Sequence, residues 1–351
     1  MIDLRYIAYR VVVVTPDGTQ LDVTDITTNL GWEEGERELA IRISMNLYNA
    51  QYKGKMMSEL VQPGTPVFIY ATTLNGAQNE VARGTVSDWK PTFSNSATSL
   101  ELVIYDEANA LRHNQENRYY SDGIGTTAAI TAIFKDWNIP YDYQGPEATH
   151  TKMVFKKAYL SDMIMKILDD AEKKGAEKCF VRAKEGKIQV LARGRNDDIY
   201  HFDAMDNTIS AKDSFSSSTI VTRVVIVGKA DQEGHQAIED TKDGKTEFGV
   251  RQVIYERPQD KSLEDSQKAA NDILKEKGDI KRKTSLQAPD VPFIRKGDRI
   301  RVKAGTVTGY FFIKSIRHNA ADRKMTMELD EDKAKNAESN SSNGSGTTTS
   351  G

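Results

Sequence analysis

The chain has 351 residues, 38% hydrophobic and 28% charged, a globular composition with length for about two to three domains. Its net charge of −3 gives no basic footprint for stable nucleic-acid binding. No run approaches the roughly 18 apolar residues of a membrane helix, the start "MIDLRYIAYR" lacks the pattern of a signal peptide, and a single cysteine, Cys179, excludes an internal disulfide framework and fits synthesis in a reducing cytoplasm.

The first hundred residues read as β. "RYIAYRVVVVT", "PDG" and "TQLDVTDI" predict a hairpin turning at Asp17-Gly18. "RELAIRISMNLY" alternates, with Leu39, Ile41, Ile43 and Met45 on one face and Arg42 and Ser44 on the other. "LVQPGTPVFIYATT", "EVARGTVSDWKPTF" and "TSLELVIYD" add further strands, so 1–110 reads as a small barrel or sandwich.

The pattern changes after Asp106. Ile130, Ile133, Phe134 and Trp137 stand at helical spacing and predict a helix near 126–137, stopped by Pro140. Met163, Ile164, Ile167, Leu168 and Ala171 form a second stripe near 161–174, with Ser161 as expected N-cap and Gly175 as C-terminal stop. A hairpin over 178–193 is expected to turn at Glu185-Gly186, and 111–208 reads as an α+β module. "SSSTIVTRVVIVGKA" returns to β. The polar stretch "DQEGHQAIEDTKDGKTEFG" reads as a mobile loop or hairpin tip, and a helix over 262–277 opens with a Ser262/Asp265 capping box. Three strands follow in "FIRKGDRIRVKAG", "GYFFIKSIRHNA" and "KMTMELD", and 336–351 reads as a disordered polar tail.

Two of these stretches match. In "LVQPGTPVFIYATT" and "PFIRKGDRIRVKAG" a Gly precedes Val67, Ile69 and Ala71, or Ile300, Val302 and Ala304, at the same spacing. Val86 and Trp89 then match Ile313 and Ile316, Leu100 and Leu102 match Met325 and Met327, and Asp106-Glu107 are expected to match Asp330-Glu331. A duplicated barrel has a consequence for symmetry. A ring of three such chains presents six similar barrels, so it can meet a six-fold partner on one side and a three-fold partner on the other.

Chemistry is sparse. His113, His150, His201, His235 and His318 stand singly, none at metal-ligand spacing. Cys179 lies in an apolar strand and reads as a small core residue. There is no nucleophile elbow and no phosphate loop; "DGIGTT" (122–127) reads as a turn and cap. Glu33-Glu34, Asp169-Asp170 and Asp197-Asp198 are sequence neighbours, which strands and helices splay apart. The basic run "KEKGDIKRK" (275–283) reads as a solvated helix end. No catalytic, cofactor or metal residue is therefore named.

"ISAKDSFSSSTIVTRVVIVGK" (209–229), "LSDMIMKILDDAEKKGAEKCFVRAKEGKIQVLARG" (160–194) and "PFIRKGDRIRVKAG" give the chain its likeness. It resembles the baseplate hub proteins of contractile phage tails and phage-tail-like particles, in particular the hub family of Gram-positive defective prophages, over about residues 1–335. The resemblance implies an α+β, β-rich fold with two tail-tube-like small β-barrel domains and an inserted α+β module. The first barrel would be 1–110. The second would be split between 209–230 and 285–335, with 231–284 as an insertion. The resemblance further implies a homotrimer between the tail tube protein and the central spike protein, in contact with other baseplate components, without enzymatic activity. Such a protein is made in the bacterial host cytoplasm and resides in the virion or tail-like particle. With only the polar tail after residue 335, no fused spike or hydrolase is expected. Two other functions are open on the residues alone. One is a peptidoglycan hydrolase, whose carboxylates the fold would have to assemble. The other is a carbohydrate-binding tail protein using "NRYYSDG" (117–123) with Tyr141 and Tyr143.

Overall fold

The computed structural model describes residues 7–72, 77–93 and 98–344. It is α+β and β-rich, with 48% of residues in strands and 19% in helices. Two compact units divide the chain, 1–212 with 285–351, and 213–284.

The larger unit opens with β1 (Ala8–Val14), β2 (Gln20–Asp22), β3 (Thr27–Glu34), β4 (Arg42–Tyr48), β5 (Gln51–Tyr52), β6 (Lys55–Met56), α1 (Met57–Leu60), β7 (Pro66–Thr72), β8 (Gln78–Phe93) and β9 (Thr98–Tyr105). Asp17 accepts from Thr15 Oγ1 and Thr19 N, and Gly18 takes φ +81°, which turns β1 onto β2. Alternation in β4 buries Ile43, Met45 and Leu47. With Val11, Val13, Val67, Ile69, Leu102 and Ile104 they form the core of the region expected to be the first small barrel, whose strands belong to a continuous 13-stranded sheet.

The module follows with α2 (Asn109–His113), β10 (Gln115–Tyr120), β11 (Ile124–Gly125), α3 (Thr126–Asp136), β12 (Tyr141–Gln144), β13 (Thr149–His150), β14 (Met153–Tyr159), α4 (Leu160–Lys173), β15 (Cys179–Lys184) and β16 (Lys187–Ala192). Ile130, Ile133 and Phe134 of α3 meet Met163, Ile164, Ile167 and Leu168 of α4 in one core with Val181 and Ile188. Burying each such side chain contributes about 1.5–3 kcal/mol. Glu185 (φ +49°) and Gly186 (φ +80°) turn β15 into β16. Ser161 is not the N-cap of α4. The helix starts one residue earlier, after Tyr159, without a side-chain cap, and its buried stripe sets its limits instead.

Next come β17 (Tyr200–Asp203) and β18 (Ser210–Ser216), then β19 (Arg223–Val227), β20 (Ile238–Asp243), β21 (Gln252–Glu256) and α5 (Leu263–Lys277) of the smaller unit. β19 pairs antiparallel with β20 and parallel with β21, and its Val224 and Ile226 pack on Ala270, Ile273 and Leu274 of α5. The separate unit thus starts at 213 and takes β19, where the sequence places the insertion from 231. Its own three-stranded sheet claims the apolar run 223–227 that the second barrel was expected to hold. Of the polar stretch expected to be a mobile loop or hairpin tip, 238–243 is strand β20, the second arm of an antiparallel hairpin with β19. Ser262 and Asp265 exchange hydrogen bonds in a capping box at the start of α5.

The larger unit resumes with β22 (Lys281–Pro289), β23 (Arg299–Ala304), β24 (Val307–Asn319), β25 (Lys324–Glu331) and α6 (Lys333–Gly344). Leu286, Ile300, Val302, Phe311, Ile313, Met325 and Met327 form the core of the region expected to be the second small barrel, on the same sheet. β17 pairs in parallel with β23, so it belongs to this sheet and not to the module expected over 111–208. The tail expected to be disordered from 336 is helical to Gly344. Asn336 anchors it by accepting from the Tyr310 amide at 2.6 Å, and Asp332 accepts from the Lys335 amide at 3.0 Å. Residues 345–351 of that expectation lie outside the described residues.

The two barrels repeat one construction. β7–β8–β9 and β23–β24–β25 are both antiparallel meanders. Ile69 faces Ala82 and Val302 faces Gly309 at matching positions. A register shift interrupts each middle strand at the same point, between Val86 and Asp88 and between Ile313 and Ser315. Beyond it Trp89 faces Leu102, and Ile316 faces Met327. The preceding turns share their bonds too. Gly64 N donates to Val86 O at 2.8 Å and Gly297 N to Ile313 O at 2.9 Å. Gln62 N donates to Thr65 Oγ1 at 3.0 Å and Arg295 N to Asp298 Oδ2 at 2.9 Å. The strand before each meander matches as well, since Asn49 N donates to Thr98 O and Asp290 N to Arg323 O, each at 3.0 Å. The acidic pairs do not align as expected: Tyr105 faces Thr85 where Asp330 faces Phe312, so Asp106 falls level with Glu331. The copies also differ at one edge, where β1 runs antiparallel to β7 while β17 runs parallel to β23.

Both turn glycines take left-handed backbone, φ +95° at Gly64 and +90° at Gly297. A Cβ on Gly64 meets nothing within 4 Å, whereas on Gly297 it would lie 2.1 Å from the Phe180 ring. Gly64→Ala is expected to cost about 1–2 kcal/mol, and Gly297→Ala distinctly more, as read from urea unfolding midpoints. Equal losses would mean that the Phe180 contact is without weight.

Candidate functional site

The two barrels share an edge. β24 pairs antiparallel with β3, Ile316 opposite Glu34 and His318 opposite Trp32. Gly31 permits the approach, because a Cβ there would stand 2.7 Å from the His318 carbonyl oxygen. Trp32 stacks on His318 with ring centroids 4.6 Å apart, and Tyr9 meets Trp32 edge-on at 5.9 Å. Both ring nitrogens of His318 face acceptors, Asp290 Oδ1 at 2.6 Å and Ile294 O at 3.1 Å, and the side chain is fully buried.

Beside this seam lies a buried cluster of charge. The Arg295 guanidinium grips the Glu34 carboxylate with two bonds, 2.6 and 3.0 Å, and gives a third to the Ala183 carbonyl of β15 at 3.1 Å. Lys296 donates to the carbonyls of Gly35 (3.1 Å) and Glu38 (2.6 Å). Asp298 accepts from the Arg295 amide and lies 3.4 Å from Arg182. The barrel turn 295–298 is thereby tied to the first barrel and to the module. Burial pushes the Glu34 carboxyl up, but the adjacent Arg295 charge and its hydrogen bonds outweigh this and hold it at about 2. Burial lowers Lys296 to about 8 against the pull of Glu34. Burial likewise pushes Asp106 up to about 7, although it accepts from the amides of Ile41 and Ala108.

The residues weighed for chemistry are dispersed. Glu34 is buried against Arg295 while its neighbour Glu33 pairs with Arg42. Asp169 pairs with Arg37, and Asp170 with Lys174 and His150. Each carboxylate of these two doublets thus has its own cationic partner. His150 is buried between Asp170 (2.6 Å) and Thr126 Oγ1 (2.8 Å). Cys179 is half-buried against the module core, and burial pushes its thiol up to about 12, so it is a thiol and not a thiolate at neutral pH. Of the aromatics weighed for glycan contact, Tyr119 is exposed, Tyr120 is buried, Tyr141 stacks on Phe134, and Tyr143 donates to the Pro146 carbonyl. In the basic run, Arg282 binds Asp213 and Asp279 binds Lys245. Among the described residues no group of three His, Cys, Asp or Glu could hold a metal ion, and no helix is long and apolar enough to cross a membrane. Sequence reasoning missed the Arg295–Glu34 pair, whose members are 261 positions apart. The signal available was the adjacency of Arg295 and Lys296 to the repeat's turn glycine.

Comparison with known proteins gives a consistent result. A family model described as YQBQ-like matches residues 32–331. Among solved structures, the chain is similar to the 43 kDa tail protein of prophage MuSo2 from Shewanella oneidensis, at TM-score 0.66 and 14% identity, covering 92% of this chain and 98% of that one. It is similar to a tail protein from Neisseria meningitidis MC58, at TM-score 0.64 and 12% identity, covering 93% and 97%. It is also similar to prophage tail protein gp18 from Listeria monocytogenes EGD-e, at TM-score 0.55 and 12% identity, covering 94% and 98%. A search of curated proteins returns no match.

Breaking a buried ion pair leaves an uncompensated charge. Arg295→Ala is expected to cost about 3–5 kcal/mol in denaturant unfolding, and the double change Glu34→Leu with Arg295→Met to recover most of it; a loss below about 1 kcal/mol would show the pair to be idle. Asp106 predicts a pH effect. An unfolded Asp ionises near about 4, so between there and about 7 the unfolded chain has lost a proton that the folded chain keeps. The Asp106 contribution to stability therefore falls as pH rises through that window. Asp106→Asn is expected to flatten the decline, measured as urea midpoints at about pH 5 and about pH 7.5; an unchanged slope would place the titration elsewhere.

Proposed function

Because the chain belongs to the YQBQ-like family, we propose that it is the structural baseplate hub of a contractile phage tail or tail-like particle. Three copies close a ring that joins the six-fold tail tube to the three-fold central spike. The observation that carries this reading is the duplication: one meander, with the same turn bonds and the same register shift, occurs twice in one chain. Three chains then present six similar barrels to the tube protein while keeping threefold symmetry toward the spike protein. The likeness to prophage tail proteins over nearly the whole chain supports the same placement. The function is geometric: sheet edges and barrel rims template assembly, and the protein acts with other baseplate components and not on a substrate. In an isolated particle, three copies are expected at the distal end of the tube by electron microscopy. Density on the sheath or the fibres would overturn the reading, and so would a clear zymogram band on cell walls that one carboxylate substitution abolishes.

A further inference from the structure

The two copies of the meander differ in what covers them. On β24, residues 316–319 pair with β25 on one side and with β3 on the other. The matching stretch of β8 starts at Trp89 and pairs with β9. Among the described residues nothing pairs with its other edge. Ile316, His318 and Ala320 are buried. Their counterparts Trp89, Pro91 and Phe93 carry no charge, yet Pro91 is exposed and Phe93 is 80% exposed.

The counterpart of β3 in the second copy is β18, which lies beside β22 as β3 lies beside β4 and ends the sheet. The matched amides of Asn49 and Asp290 set Thr284 level with Ile43. Ile43 faces Trp32, and Thr284 Oγ1 bonds Asp213, so Asp213 stands in the place of Trp32 and Phe215 in that of Glu34. Glu34 is 2% exposed, whereas Phe215 is 67% exposed. The two phenylalanines among the exposed large hydrophobic residues of the described chain, Phe93 and Phe215, thus fall on these two edges.

We propose that β8 of one copy pairs antiparallel with β18 of a second copy of this chain, repeating between copies the seam that β24 and β3 make within one. Trp89 stands opposite Phe215 and Phe93 opposite Ala211. The contact rests on the ring reading above and names its edges. It is heterologous, so each chain offers one edge of each kind and the contacts propagate until the ring closes. Pro91 lacks an amide proton and leaves one ladder bond unmade, which restricts indiscriminate strand addition at this edge.

In this register Lys90 stands opposite Ser214, as Arg317 stands opposite Glu33. The position is a non-hydrogen-bonded pair, with Cα atoms about 4.5 Å apart, within disulfide reach. In a full-length Cys179→Ser chain, Lys90→Cys with Ser214→Cys is expected to give covalent multimers up to a trimer on oxidation with copper-phenanthroline. Lys90→Cys with Ser210→Cys, out of register, is expected to give no covalent multimers. Phe215→Lys is expected to shift the sedimenting species from ring to monomer with the circular dichroism spectrum unchanged. A ring in sedimentation whose matched pair does not cross-link overturns the edge assignment and leaves the ring reading intact. Cross-linking into rings of another size upholds the edges and overturns the threefold reading. A chain that stays monomeric at every soluble concentration, without cross-links, overturns both.

Discussion

The ion pair between Glu34 and Arg295 is the constraint on which the arrangement of the larger unit depends. It joins β3 of the first barrel to the turn that starts the second, and through the Ala183 carbonyl it reaches the module. Removing both charges from water costs several kcal/mol per ion. The cost is offset because the contact is bidentate and a third guanidinium bond reaches the Ala183 carbonyl oxygen. An apolar contact in the same place would tolerate sliding; a fork-to-carboxylate contact does not, so the pair fixes the angle and register of the seam between β24 and β3 more than it adds net stability.

The turn that carries Arg295 is also a lesson in how duplication diverges. Its backbone bonds match those of the turn around Gly64, and its Asp298 takes over the capping role of Thr65. At the positions of Arg295 and Lys296, however, the first copy has Gln62 and Pro63. The backbone geometry is set by a left-handed glycine and local hydrogen bonds, which leave the neighbouring side chains free to change. In the second copy those side chains were recruited to bind the first barrel. The module is drawn in likewise, since Leu39 and Ala40 of the first barrel sit in its core.

Strand alternation in 39–47, the apolar stripes of α3 and α4, the turn at Glu185-Gly186 and the capping box of Ser262 were legible because each is a local pattern whose period matches its element. The ends were less so. α4 starts at Leu160 because burial of its stripe, not Ser161, sets its limits, and α6 extends to Gly344 because Asn336 and Asp332 anchor its first turn. β19 reads as an apolar strand in either setting; its pairing with β20 and β21 is a choice among sheets that strand composition does not encode.

What the sequence alone determined about this protein is its repetition. The glycine, the three inward positions after it and the strand spacing recur because a pleated strand on a barrel demands period two and a left-handed corner wherever it occurs. What only the tertiary structure decided is how the copies meet. Residues 34 and 295 are brought together where β24 pairs with β3 within one sheet, and no spacing along the chain announces such a pair. The same holds for the edges of β8 and β18 that no strand among the described residues covers. A strand carries the same inward apolar residues whether or not a neighbour covers its rim, so exposure at Phe93 and Phe215 becomes visible only once every other strand has found its partner.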